Sequence, residues 1–266
     1  MTEFNQEPIV LIKPKRYKFW FNIFIFVFLI FGSLIFAKFS IIEVITNFFQ
    51  STRLLSRMFL PPAWNYADNA IGPLIETIQM AILGSFVGAI VAFPVALLAA
   101  RTFIDNRFVN GPTRFILNIF RTIPALVLAS LFVAIFGIGN FAGVLALSIF
   151  SFGLISKMLY ESIEAIDLGQ VEALNSVGAN KLEILRYAII PQILPQYLSY
   201  TLYAFEVNVR AAAVLGYVGA GGIGQIYERA LAFRQFDRVG MIIIISFGAV
   251  LIIDFVSTSI RKRLVR

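Results

Sequence analysis

Apolar runs of about 20 residues, the length needed to cross a bilayer core, recur through this chain and constrain its fold more than any other feature. Six are legible, at residues 19–37, 77–100, 115–136, 141–160, 193–215 and 239–260. A soluble core this apolar would need charged faces on the runs, and they lack them. Residues of apolar type make up 59% of the chain and charged ones 14%, whereas soluble domains are about a quarter charged. The runs should be helices, because a helix satisfies its own backbone hydrogen bonds in lipid. The expectation is an all-α integral membrane protein with six transmembrane helices.

Basic residues mark the cytoplasmic side. Lys13, Lys15, Arg16 and Lys18 lead into the first run, and Arg261, Lys262, Arg263 and Arg266 follow the last. Arg101, Arg107 and Arg114 lie between the second and third runs. Six crossings put both termini, that loop and the loop before residue 193 in the cytoplasm. The implied organisation is a basic tail (1–18), a first anchor (19–37), an external segment (38–70), a helical core (71–260) with a cytoplasmic loop at 161–191, and a second basic tail (261–266). The first run is too long for a cleaved signal peptide and no small-residue cleavage site follows it, so it reads as a retained signal-anchor. The net charge of +7 is explained by topology and by contact with anionic lipid headgroups, with no need of nucleic acid.

The chain has no Cys and no His, which removes thiolate chemistry, Cys/His metal sites and His-based acid–base catalysis. Residues 41–60 alternate apolar Ile41, Ile45, Phe48, Leu55 and Phe59 with polar side chains at helical spacing, as in an amphipathic helix on the outer membrane surface. Pro124 in the third run can kink it, and Arg121 beside it can snorkel to the interface. The fifth run carries Glu206, Asn208 and Arg210. Glu206 and Arg210 are four apart and share a helix face. They either line a path for an anionic solute or form a structural ion pair. Gly219, Gly221 and Gly224 match a dinucleotide fingerprint, but no strand precedes them, so the match fails on context. With Gly222 they read instead as a close-packed or flexible turn, a candidate hinge. No phosphate-binding G-x-x-x-x-G-K-[ST] loop occurs, so the chain hydrolyses no ATP by that route.

A patterned polar segment, residues 168–191, interrupts the apolar runs. Leu168, Val171, Leu174 and Val177 share one helical face, Gly178 breaks it, and Leu182, Leu185 and Ile189 resume it before Pro191 marks the return to the membrane. Glu172, Ala173, Asn175 and Ser176 face outward. Such a hairpin either packs on its own bundle or docks a soluble partner.

Residues 172–191 resemble the EAA loop of the permease subunits of bacterial ABC importers, a pattern of EAA, three residues, Gly, nine residues and Ile-x-Leu-Pro. Glu172, Ala173, Gly178 and Pro191 fall in register, while Leu174, Ala188 and Ile190 depart from it with apolar residues. Arg121–Pro124, RTIP, is similar to an element of the methionine-importer-like permeases. Residues 191–225, with FE-x-NVR ending at Arg210 and GAGGIG from Gly219, resemble the phosphonate branch. The likeness covers roughly residues 70–266. It implies a type I ABC importer permease fold in a bacterial cytoplasmic membrane, working by alternating access as a homodimer. It further implies two ATP-binding cassette subunits that hold the ATP and Mg, an external solute-binding lipoprotein, and no cofactor or metal in this chain. Glu172, Ala173 and Gly178 would couple it to the ATPase. Phosphonate is the implied solute. Phosphite, phosphate-like oxyanions, methionine or a quaternary amine are alternatives within the class, and an ion-driven transporter or a membrane enzyme are alternatives outside it.

Overall fold

The structure, a computed structural model, describes residues 17–37 and 40–264. Lys13, Lys15, Arg16 and Arg266 of the basic tails lie outside the described residues. The chain divides into two compact units, residues 1–53 and 54–266.

In the first unit, α1 (Tyr17–Phe36) is 20 residues long and apolar on every side, which suits a helix surrounded by lipid. The amphipathic α2 (Ile41–Phe59) begins there and ends in the second unit. Its start is capped by the Ser40 hydroxyl, which accepts the Glu43 N–H at 3.3 Å.

The second unit continues with α3 (Ala67–Ala99), α4 (Arg107–Thr122), α5 (Ala125–Phe136), α6 (Asn140–Glu164), α7 (Leu168–Ser176), α8 (Lys181–Ile184), α9 (Ile190–Leu215), α10 (Ile223–Ala232) and α11 (Phe236–Leu264). The α3 and α6 helices pack along one another more extensively than any other pair, and α9 lies against both. Small residues make this possible. A Cβ on Gly84 would lie 2.5 Å from Leu147 Cβ, and one on Gly88 would lie 2.6 Å from Ser151 Cβ and 2.7 Å from the Ser148 carbonyl. Between helices in lipid, where no hydrophobic force drives association, such close backbone approach supplies van der Waals contact. At the far end of the unit, a Cβ on Gly240 of α11 would overlap the Met58 carbonyl, so glycine lets α11 close against the last turn of α2.

Each of the six expected runs is helical, though they differ in apolarity and one of them is broken. Four of them, α1, α3 (with the turn before it), α6 and α11, are long and apolar enough to cross a membrane, or five if α4 and α5 count as one broken span. The third apolar run, expected as one helix over 115–136, is broken. Pro124 has no N–H and bars the residue before it from the helical region; Ile123 is extended, at φ −79° and ψ 120°, and α5 leaves α4 at 84°. The fifth run forms α9, whose 26 residues are long enough, but Glu206, Asn208 and Arg210 keep it out of the apolar set.

Candidate functional site

The polar segment after α6 folds as a helix, a glycine turn and a second helix. Asp167 caps α7, its Oδ1 accepting the Gly169 N–H at 2.9 Å. The helix stops at Gly178, whose φ of +79° is a left-handed conformation that favours glycine. There the Gly178 N–H donates to the Asn175 carbonyl and the Ala179 N–H to the Leu174 carbonyl, each at 3.0 Å. Asn180 and Glu183 then close a capping box on α8: Asn180 Oδ1 accepts from Glu183 N–H at 3.0 Å, and Glu183 Oε2 accepts from Asn180 N–H at 2.7 Å. Both helices of the hairpin therefore start on side-chain caps, which fixes its shape without a partner.

The hairpin leans on the bundle through Val171 and Leu174, which pack on a core cluster of Leu159, Ile163, Ile184 and Ile189. Glu172, Ala173, Asn175, Ser176 and Gly178 all face outward. Val177 and Leu182, expected on the packed face, are exposed instead. For Leu182 the reason is a change of pitch. Residues Leu185–Ile189 form one turn of π-helix, with the Ile190 N–H reaching the Leu185 carbonyl. Pro191 cannot donate to the carbonyl four residues earlier, and the wider turn rotates Ile184, Ala188 and Ile189 into the core. The π turn runs directly into α9, so Pro191 sits in the first turn of that helix and does not end the hairpin. Gln192 ties the two strands of chain together: its Oε1 accepts the Asp167 N–H at 3.0 Å and its Nε2 donates to the Ala188 carbonyl at 2.9 Å.

Farther along α9, Asn208 is completely buried. Its Nδ2 donates to Ser85 Oγ of α3 at 2.8 Å and to Ser151 Oγ of α6 at 2.6 Å. One amide thus joins the three central helices. Ser85 and Ser151 were not singled out in the sequence, because nothing local marks a serine 123 or 57 residues away as the partner of Asn208.

Glu206 and Arg210 pair as their spacing requires, and the pair belongs to a larger cluster. The buried Glu206 carboxylate also accepts from Arg261 at 2.7 Å, and Arg210 reaches Asp254 at 3.4 Å, both from α11. Two guanidiniums facing two carboxylates leave the cluster neutral. Arg210 is its most accessible cation, with 46% of its side chain exposed against 25% for Arg261. Arg261, read in the sequence as a topological tail charge, is part of this group.

Gly219, Gly221 and Gly222 have φ of +83°, +89° and +69°, and the turn they form is held tightly. The Gly139 N–H donates to the Gly219 carbonyl at 2.9 Å, and the Ile223 N–H to Thr77 Oγ1 at 2.8 Å. Gly224 packs against Gly216 so closely that a Cβ on Gly216 would fall 2.4 Å from the Gly224 backbone. Beside the turn lies a cavity of about 480 Å³ lined by Ile138, Tyr217, Gly219, Gln225, Glu228 and Arg229.

Over residues 92–266 the sequence matches the family described as "Binding-protein-dependent transport system inner membrane component". It is 36% identical over 216 residues to the phosphite transport system permease protein PtxC of Stutzerimonas stutzeri, across 81% of this chain and 78% of that one. It is 44% identical over 121 residues to the putative cryptic phosphonate transport system permease protein PhnE2 of Escherichia coli, across 46% of this chain and 99% of that one. The fold is similar to that of the MetNI methionine ABC transporter in an inward-facing conformation, with a TM-score of 0.66 at 26% identity, over 74% of this chain and 96% of that one.

Proposed function

We propose that this chain, which belongs to the family of binding-protein-dependent transport system inner membrane components, imports a small phosphorus oxyanion, with phosphonate as its solute. The family fixes the coarser role: a multi-pass inner membrane permease of an ABC importer, non-catalytic, working with an ATPase and a solute-binding protein. Everything finer is our reading.

In that reading two copies of the chain form the pathway, with both termini in the cytoplasm. ATP and Mg are held by the paired ATPase subunits. Closure of those subunits moves the hairpins, and the two bundles rock between inward-open and outward-open states. A solute-loaded lipoprotein docks outside and releases its anion into the opened cavity. The observation that carries the coupling role is the hairpin itself: a pre-shaped projection, capped at the start of both its helices, with Glu172, Ala173 and Gly178 exposed. Glu172 meets the ATPase, Ala173 allows close approach, and Gly178 sets the turn.

Of the three polar residues of α9, Arg210 is assigned to the pathway wall, with the buried Glu206 holding it and the fully buried Asn208 bracing the helix from behind. The neutral charge cluster supports a switching role for Arg210 over a fixed anion site. Asp254 is its looser partner, so an arriving oxyanion competes with Asp254 and leaves the buried Glu206 in place. The glycine turn at Gly219, Gly221, Gly222 and Gly224 is the hinge where α9 turns into α10, since its positive φ angles are open to glycine.

The 36% identity to a phosphite permease over most of the chain favours a second reading, with phosphite as the solute. Uptake into proteoliposomes carrying the permease, its ATPase and its binding protein separates the two. The proposal expects ATP-dependent accumulation of an alkylphosphonate that excess phosphite fails to suppress. Suppression by phosphite supports the second reading, and uptake driven by an ion gradient without ATP overturns both. Glu172→Ala should abolish uptake while the protein remains in the membrane.

A further inference from the structure

Two arginines, one just after α3 and one at the start of α4, mark the cytoplasmic side in the proposed topology. Arg101 and Arg107 are both exposed. Among the described residues neither guanidinium has a hydrogen-bond or ion-pair partner, although the Arg101 backbone N–H donates to Glu164 at 2.9 Å. Both side chains line one cavity of about 380 Å³, together with Asp105 and Asn110. Asn110 is already committed, its Nδ2 donating to the Leu98 carbonyl at 2.8 Å. The cavity therefore presents two free cations and one free carboxylate.

Its position is fixed by the helices around it. Arg114 of α4 donates through Nε to the carbonyl of Ala99, the last residue of α3, at 2.9 Å, and pairs with Glu164, the last residue of α6. The helices ending there, α3 and α6, are both long and apolar enough to cross a membrane. The cavity and the first turns of α4 therefore lie where two such helices end, which is where a bilayer places its phosphates. From there α4 runs inward along α6: Arg114 meets Glu164 at the end of that helix, whereas Phe120 packs edge-to-face on Phe152 and the Arg121 backbone lies against Gly153. On its outer face Phe108, Phe115 and Ile119 are exposed at helical spacing, with Phe108 90% exposed. Arginines at the mouth of an apolar stripe suit the headgroup and the chains of a lipid in that order.

We infer that Arg101 and Arg107 bind the phosphodiester of one anionic glycerophospholipid, with Phe108 and Phe115 against its acyl chains. Guanidinium suits phosphate because its planar fork of donors matches the oxygens. Asp105 gives the site an acceptor for the hydroxyls of a glycerol headgroup, and the net positive charge selects an anionic lipid over a zwitterionic one. The site also lies behind the coupling hairpin. Phe103, in the same loop, packs on the core cluster that holds Val171 and Leu174, and Asp105 lines a second, smaller cavity with Asn175 and Lys181. A lipid held by Arg101 and Arg107 would brace the loop that backs the hairpin. The inference needs only that these residues lie at a membrane surface, so it stands or falls apart from the identity of the solute.

Native mass spectrometry of the full permease, equilibrated with phosphatidylglycerol and phosphatidylethanolamine, tests it. The expected result is selective retention of phosphatidylglycerol, lost in the Arg101→Gln/Arg107→Gln double variant. At about fivefold per basic residue near a charged surface, the loss should be on the order of 25-fold. The unfolding midpoint should be unchanged, since neither side chain has a protein partner. Equal retention by wild type and variant overturns the inference, as does equal retention of the two lipids. Displacement of the lipid by excess inorganic phosphate would make this a free-phosphate site and also overturn it. Phe108→Cys, a unique thiol in a sequence without cysteine, reports the occupant of the apolar stripe. Quenching of an attached fluorophore by brominated lipid supports the inference, whereas disulfide capture of a second copy without quenching contradicts it.

Discussion

Substituting one glycine on the line where α3 meets α6 should loosen the frame that carries the hairpin. In Gly88→Ala the new methyl would lie 2.6 Å from Ser151 Cβ, 2.7 Å from the Ser148 carbonyl oxygen and 2.8 Å from Phe152 N. The last two are backbone atoms that cannot rotate away. To restore contact near 3.4 Å the helices must separate by roughly 0.8 Å, and a gap of that size forfeits about a quarter to a half of each dispersion contact. Overpacking of this kind costs about 1–3 kcal/mol. The same movement stretches the bonds of Asn208 to Ser85 and Ser151, now 2.8 and 2.6 Å long, each worth about 0.6 kcal/mol between membrane helices. Against this, alanine gains up to about 1 kcal/mol of helix propensity, leaving a net loss of about 1–3 kcal/mol. Gly248→Ala is the matched control: it also lies within a helix, α11, but its Cβ meets nothing within 4 Å. It should be neutral or stabilising by up to about 1 kcal/mol. Unfolding in mixed micelles titrated with dodecyl sulfate measures both. Equal shifts in the two variants would refute the claim that backbone contact at Gly88 holds α3 to α6.

Other outcomes follow from the same geometry. Asn208→Ala should cost about 1–3 kcal/mol by removing both interhelical donors, and a double-mutant cycle with Ser85→Ala should show coupling near 0.6 kcal/mol. Gly178→Ala meets no neighbour within 4 Å, so its cost is backbone strain alone, about 1 kcal/mol or slightly more. Uptake should fall in Gly178→Ala and recover in Gly178→Asn, which tolerates the left-handed conformation; failure of asparagine to recover it would assign Gly178 to steric contact with the ATPase. Glu206→Gln leaves two guanidiniums with Asp254 alone and should lower stability by more than about 2 kcal/mol. Asp254→Asn, at a 49%-exposed partner 3.4 Å from Arg210, should lower it by less than about 1 kcal/mol. Similar losses in both would remove the distinction between the buried and the loose partner.

The positions of the long helices were legible because length and apolarity act locally, and the helix–glycine–helix of the hairpin was legible because caps and turns do too. The bend at Pro124 was legible as a kink, but its size depends on the packing of α4 along α6. The π turn at Leu185–Ile189 moved Leu182 out of register, a shift that a fixed helical period cannot carry. Gly84 and Gly88 leave a signal, Gly-x-x-x-Gly within an apolar run, which marks a close helix contact without naming the partner helix. The partners of Asn208, and the pairing of Glu206 with Arg261, join residues far apart in sequence, and no spacing rule reaches them.

The central claim is that the exposed hairpin meets a separate ATPase and transmits its motion. Because the sequence contains no cysteine, Ala173→Cys can be cross-linked in membranes to single cysteines placed along the groove of the partner ATPase. The account predicts efficient cross-linking at one groove position, a yield that changes when ATP is added, and loss of uptake when the cross-link forms. Absence of any cross-link in membranes whose uptake is normal would contradict it.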